Sequence, residues 1–170
     1  MAGSSLMILC DTNILIEFYK ANPSVIQTLQ LIGSANIAVS VITKAELFYG
    51  ARDKQELVKI ERHLSFCRCY GLNDVISTLF IQLMSRYSVS HKVSIPDMLI
   101  AATAISHELE LYTLNTKDFK AIEITHNKAL MKQQFSARTR ISLALAPEEM
   151  ELVKTEDPGK VDIAHLPTIH

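Results

Sequence analysis

The stretch LMILCDTNILIEF at residues 6–18 decides the fold of this chain. Its first five residues, 6–10, are apolar without alternation, which is typical of a short strand buried on both faces of a parallel sheet. The polar residues 11–13 follow and can cap a helix, in which apolar residues then recur at helical spacing. We therefore predict that Asp11 lies at the carboxyl end of a central strand, where ligands collect in open parallel sheets. Because a helix cap is the alternative role for Asp11, a functional role requires other carboxylates at the same edge.

The composition is that of a soluble globular protein. The chain has 170 residues, of which 48% are hydrophobic and 21% charged, enough for one domain with a core and a tail. Its net charge of −1 provides no basic field over the whole surface. Nucleic-acid contact would therefore need a local basic patch or metal ions, and this balance counts against a tight duplex-binding protein.

The cysteines and the N-terminus indicate a cytoplasmic protein. Cys10, Cys67 and Cys69 form neither an even set nor a zinc-binding spacing, and we interpret them as reduced, mostly buried residues. The N-terminus lacks the basic segment of a signal peptide. No apolar run approaches the roughly 20 residues of a membrane span, so we expect no membrane partner.

Strand and helix signals alternate along the chain as far as residue 124. After the first strand, further strands are predicted at residues 36–41, 66–70, 109–114 and 122–124, with amphipathic segments between them. This alternation favours a three-layer α/β fold in which helices cover both faces of a parallel sheet.

Three more acidic residues stand at junctions equivalent to that of Asp11. They are Glu46, Asp97 and Asp118, each after a predicted strand or at a predicted helix start. Each has a local explanation: Thr43 and Glu46 match a capping box, and Asp97 suits the first turn of a helix. Converging carboxylates nevertheless repel one another unless a cation is present. Oxygen ligands of this kind suit Mg²⁺ or Mn²⁺, and the sequence therefore favours a metal site.

Four segments resemble the four motifs of PIN-domain ribonucleases. These are LCDTN at residues 9–13, TKAE at 43–46, PDMLIAA at 96–102 and TLNTKDF at 113–119. They are most similar to VapC-type toxins of bacterial toxin–antitoxin pairs, and the resemblance covers roughly residues 6–125 in unbroken order. It implies a PIN-like nuclease domain over residues 1–135. Residues 136–170 remain a C-terminal tail of uncertain structure, since they depart from the compact family pattern.

The resemblance also implies an activity and a set of site residues. The activity is metal-dependent endoribonuclease cleavage, with Mg²⁺ or Mn²⁺ as cofactor, and the acidic set would be Asp11, Glu46, Asp97 and Asp118. Asp11 and Asp97 are the expected direct metal ligands. Supporting residues would be Asn13, Thr113 and Asn115. Local cations that could hold RNA phosphates, although each could equally be an ordinary surface charge, are Lys44, Arg52, Lys92 and Lys117.

The same resemblance implies three partners: an RNA substrate, an antitoxin protein and a second copy of the chain in a homodimer. Apolar residues of the early helices offer a surface for a partner, with burial in the core as the alternative. They are Ile14, Phe18, Val25, Leu29, Leu47, Phe48 and Tyr49.

Two other functions compete with that of a nuclease. Phosphoryl transfer to an aspartate, as in haloacid-dehalogenase-like phosphatases, needs a second acid where this chain has Asn13, and no glycine-rich phosphate loop is present. A non-catalytic PIN-like binding module is the remaining alternative. Retention of all four acidic positions favours the enzyme over that module.

Overall fold

A four-stranded parallel sheet forms the centre of the molecule. The structure is a computed structural model, and it describes residues 7–116, Phe119 and Ile122. The strands are β1 (Ile8–Cys10), β2 (Ile37–Ser40), β3 (Arg68–Tyr70) and β4 (Glu110–Tyr112), and their order in the sheet is β3–β2–β1–β4. The first predicted strand is therefore central, as its unbroken apolar run indicates.

Six α-helices with both ends within residues 7–116 connect and cover the strands. They are α1 (Thr12–Tyr19), α2 (Pro23–Ile32), α3 (Val41–Tyr49), α4 (Lys54–Leu64), α5 (Asp74–His91) and α6 (Ile95–Ser106). Each begins after a short polar residue whose side chain accepts a backbone N–H of the first turn, which satisfies a donor that the helix leaves unpaired. These caps are Asp11, Asn22, Ser40, Asp53, Asn73 and Ser94.

Two hydrophobic cores lie on opposite faces of the sheet. The strand register aligns Leu9 with Ala38 and Leu111, and these three residues pack against α5 and α6. The next residues of these strands, Cys10, Val39 and Tyr112, point to the opposite face of the sheet and pack against α1, α2, α3 and α4. The predicted three-layer α/β fold is thus confirmed.

The predicted capping box at Thr43 is wrong. Ser40 caps α3 and accepts the backbone N–H of Thr43 at 3.0 Å, so the helix begins directly where β2 ends. Glu46 consequently lies in the second turn of α3, where its side chain has no capping role.

The last predicted strand, at residues 122–124, is wrong at Ile122, which is helical. Ile122 follows Phe119 by three residues, and both side chains are fully buried in the core beside α5 and α6. A spacing of three matches one face of a helix, whereas a strand would have turned the two side chains to opposite sides. The predicted boundary after residue 135 lies outside the described residues.

The cysteines and the membrane prediction can be checked in the described residues. The three thiols are free, but Cys69 is exposed because β3 is an edge strand, so the prediction of mostly buried cysteines is wrong there. Within residues 7–116 no helix has the length and apolar character needed to span a membrane.

Candidate active site

Asp11 is buried at the carboxyl end of β1, and three donors hold its carboxylate. Its side chain is the N-cap of α1 and accepts the backbone N–H of Thr12 on Oδ1 at 2.7 Å. On the other oxygen, Oδ2, it accepts the hydroxyl of Thr113 at 2.6 Å and the amide of Asn13 at 3.1 Å. The cap that the sequence suggested is therefore present, yet it uses one of the two carboxylate oxygens.

Burial and neighbouring charge make Asp11 hard to ionise. The pKa of Asp11 is raised to about 6, first by burial and further by the negative charges of Asp97 and Glu46, while hydrogen bonds from Thr113 and Thr12 lower it. The charges of Asp97 and Glu46 are thus felt at Asp11. A cation at this position would offset the unfavourable charge of the ionised form.

Glu46 approaches the site from α3, the helix that contacts α1. Its carboxylate is half-buried, and Oε2 accepts the hydroxyl of Thr12 at 2.5 Å. This contact joins the first turn of α1 to the second turn of α3. It ties the side chain of Glu46 to the residue next to Asp11.

Asp97 lies in the first turn of α6, where Ser94 acts as the cap. The Ser94 hydroxyl accepts the backbone N–H of Asp97 at 3.2 Å. The carboxylate of Asp97 instead accepts the side-chain amide of Asn115 on Oδ2 at 3.1 Å. Its side chain is therefore turned toward the segment after β4.

The three supporting residues of the sequence prediction tie α1 to that segment. Asn13 accepts the backbone N–H of Leu114 on Oδ1 at 3.2 Å, and its amide lies 3.3 Å from the Thr113 hydroxyl. Thr113 Oγ1 also accepts the backbone N–H of Asn115 at 3.0 Å. Asn13, Thr113 and Asn115 thus form one hydrogen-bonded network with Asp11 and Asp97.

The donor set suits a hard divalent cation, although the described residues do not complete a binding group. No three His, Cys, Asp or Glu side chains of residues 7–116 are grouped as a metal site. The fourth predicted carboxylate, Asp118, and Lys117 lie outside the described residues. Asp11, Glu46 and Asp97 offer only oxygen atoms, and the negative charges of Asp97 and Glu46 add to the effect of burial in raising the pKa of Asp11. The residues present fit Mg²⁺ or Mn²⁺ in donor type and in charge.

The predicted basic residues are spread over the surface. Arg52 lines an open groove beside Glu46, together with Lys20, but its guanidinium is paired with Glu56 at 3.0 Å. Lys44 lies over the Phe48 ring, 5.4 Å from its centre. Lys92 is exposed at the end of α5. Neither Lys44 nor Lys92 lines the groove.

Thr12 and Lys20 are the site residues that the sequence prediction missed. The position of Thr12, directly after a junction aspartate, was a usable signal because a hydroxyl there can reach a neighbouring carboxylate. Lys20 had no local signal, since only the packing of α1 beside α3 makes it part of the groove.

Comparison with known proteins identifies the family. The family model described as PIN domain matches residues 8–124. Ribonuclease VapC10 of Mycobacterium tuberculosis is 34% identical over 122 residues, which cover 69% of this chain and 89% of that protein. A toxin–antitoxin complex from Klebsiella pneumoniae superposes with a TM-score of 0.60 at 33% identity, covering 68% of this chain and 92% of that one. The structure of VapBC2 from Rickettsia felis, bound to a promoter DNA fragment, superposes with a TM-score of 0.58 at 29% identity. It covers 68% of this chain and 92% of that one. The chain therefore belongs to the PIN-domain family and is a homologue of the VapC ribonuclease toxins.

Proposed function

We propose that this protein is a metal-dependent endoribonuclease and the toxin of a toxin–antitoxin pair. One observation carries the proposal: the buried Asp11 is held at the carboxyl edge of β1 with the charges of Glu46 and Asp97 acting on it. Such a cluster is unfavourable by itself and becomes favourable around a cation. The family to which the chain belongs contains the VapC ribonucleases, whose name states their activity.

Each carboxylate has a distinct part in this proposal. Asp11 and Asp97 would hold Mg²⁺ or Mn²⁺, with Asp118 completing the acidic set. The bound ion would lower the pKa of water and offset charge on the phosphate. Glu46 would accept a proton from the water that attacks the phosphodiester. In that step the water oxygen bonds to phosphorus, the bond to the leaving oxygen breaks, and solvent protonates the leaving oxygen.

The groove beside Glu46 is the proposed path of the RNA strand. Lys20 and Arg52 line it and can contact phosphate groups. Arg52 must then share its guanidinium between the phosphate and Glu56, whose two carboxylate oxygens it already contacts. Lys44, Lys92 and Lys117 remain predicted RNA contacts of lower weight.

An antitoxin protein and a second copy of the chain are the proposed protein partners. The structure from K. pneumoniae is a toxin–antitoxin complex, which supports the first. The apolar residues of the early helices give less support than the sequence suggested, because most are in the core and Tyr49 is the exposed one. Along α5, Val75, Ile81 and Val89 are exposed and support the homodimer instead. The free thiols suit a cytoplasmic location.

The test is RNA cleavage by the purified protein with and without metal. Cleavage of an end-labelled single-stranded RNA should require Mg²⁺ or Mn²⁺, stop in EDTA and return when the ion is restored. Asp11→Asn should lose activity by about 100-fold or more. Glu61→Gln, which removes an exposed charge on α4, is the matched control and should cleave normally.

Two results would contradict the proposal. Equal cleavage in EDTA would exclude a metal-dependent mechanism. If the wild type binds RNA and leaves it intact, and Asp11→Asn binds it equally well, the protein is the non-catalytic PIN-like binding module.

A further inference from the structure

Thr12 contacts two of the site carboxylates through two different donors. Its backbone N–H donates to Asp11 Oδ1 at 2.7 Å, and its hydroxyl donates to Glu46 Oε2 at 2.5 Å. Asp11 ends β1, whereas Glu46 belongs to α3, and 34 residues separate Thr12 from Glu46 along the chain. One residue therefore contacts two carboxylates that come from different elements, as one of three donors on Asp11 and through its hydroxyl on Glu46.

The hydroxyl is the contact that orients Glu46. Glutamate has three rotatable side-chain bonds, so a half-exposed carboxylate samples many positions unless a partner holds it. Among the described residues, the Thr12 hydroxyl is the one hydrogen-bond donor found on the Glu46 carboxylate. With Oε2 held there, the other oxygen, Oε1, is left to meet water or substrate.

We propose that Thr12 is a positioning residue for Glu46. Its hydroxyl fixes the carboxylate so that Glu46 can take a proton from the attacking water, and this role rests on the function proposed above. The competing explanation is that Thr12 only stabilises the start of α1. The two explanations differ, because a structural role affects unfolding alone, whereas a positioning role affects the catalytic rate.

Activity measurements with matched variants separate the two roles. Thr12→Val keeps the branched shape and removes the hydroxyl, Thr12→Ala is a second variant without it, and Thr12→Ser keeps it. We expect kcat to fall about 100-fold in the valine and alanine variants, the effect of a misplaced catalytic group. The kcat of the serine variant should stay within about threefold of the wild-type value. In all three variants, KM and the Mn²⁺ concentration that gives the half-maximal rate should also stay within about threefold of wild type.

Thr78→Val is the matched control. Thr78 is exposed on α5, and its hydroxyl donates at 2.9 Å to the Asp74 carbonyl oxygen of its own helix. The same chemical change there should leave kcat unaltered.

A double-mutant cycle on thermal unfolding tests the contact without any substrate or metal. Thr12→Val should lower the Tm of the metal-free protein by about 3–6 °C, as expected for loss of a hydrogen bond to a charged group. In a Glu46→Ala background the same substitution should lower Tm by at most about 2 °C, because the partner is already absent.

Each arm has a result that overturns the proposal. A wild-type kcat in both hydroxyl-free variants, or a serine variant as slow as they are, excludes a positioning role for the hydroxyl. Additive Tm shifts would show that Thr12 does not hold Glu46. A wild type without metal-dependent cleavage overturns the proposed nuclease function instead, and the cycle then still reports on the contact.

Discussion

Replacing Asp11 with Asn should stabilise the metal-free protein at neutral and alkaline pH. The pKa of Asp11 rises from 3.8 to about 6 on folding, mainly because the side chain is buried and also because Asp97 and Glu46 are negative. That rise corresponds to about 3 kcal/mol of unfolding free energy lost when the folded protein carries the ionised form. An asparagine has nearly the same shape and no charge, so it removes this cost.

The direction of the pH effect follows from the two pKa values. Below the ordinary value of 3.8, Asp11 is protonated in the folded and the unfolded protein and contributes no cost. Between 3.8 and about 6 the folded protein keeps a proton that the unfolded chain releases, so the free energy of unfolding falls as pH rises. Above about 6 the full cost is present.

The gain is partly offset by hydrogen bonds that asparagine cannot accept. Asp11 Oδ2 accepts hydrogen bonds from the Thr113 hydroxyl and the Asn13 amide. An NH₂ group at that position is itself a donor, so it could not accept the hydrogen bond from the Asn13 amide. This loss costs about 1–2 kcal/mol. The net stabilisation near pH 8 is therefore about 1–2 kcal/mol, or a Tm higher by about 2–6 °C.

The assay is thermal unfolding by circular dichroism in EDTA, from about pH 4.5 to pH 8, the range that spans the raised pKa. The advantage of Asp11→Asn should shrink and vanish toward the acidic end, while the control Glu61→Gln should follow the wild type throughout. A Tm for Asp11→Asn that lies several degrees below wild type near pH 8, or a difference that does not change with pH, would refute this reasoning.

Two further predictions concern the backbone and the assembly. Gly33 has φ +81 and ψ 138, a conformation that costs other residues about 1–3 kcal/mol, and an added Cβ would meet no atom closer than 3.8 Å. Gly33→Ala should therefore lower the Tm by about 2–6 °C. The control Gly71→Ala should leave the Tm nearly unchanged, because a Cβ there meets nothing within 4 Å. Equal Tm shifts in the two variants would contradict the backbone explanation. Light scattering at tens of micromolar should give twice the 19.0 kDa of one chain, whereas a strictly monomeric species would contradict the homodimer.

Local signals in the sequence determined the strand and helix pattern over most of the chain. The apolar run before Asp11 predicted the central strand, and the polar residues 11–13 predicted the cap of α1, because both depend on neighbours within a few residues. The acidic junctions at Glu46 and Asp97 were predictable for a related reason. Parallel strands bring their carboxyl ends to one edge, so residues that follow strands or begin helices there must meet. The resemblance to PIN-domain motifs added the expected chemistry, because the four motifs occur in the family's order.

Tertiary structure alone decided how the site is held together. The sequence assigned the cap of α3 to Thr43, since the TKAE pattern is local, but the end of β2 moved the cap to Ser40 and freed Glu46 to contact Thr12. The bond from Thr113 to Asp11 spans 102 residues and depends on β4 pairing beside β1. The raised pKa of Asp11 has the same origin, because burial and the approach of two distant carboxylates exist only once the sheet and its helices have packed.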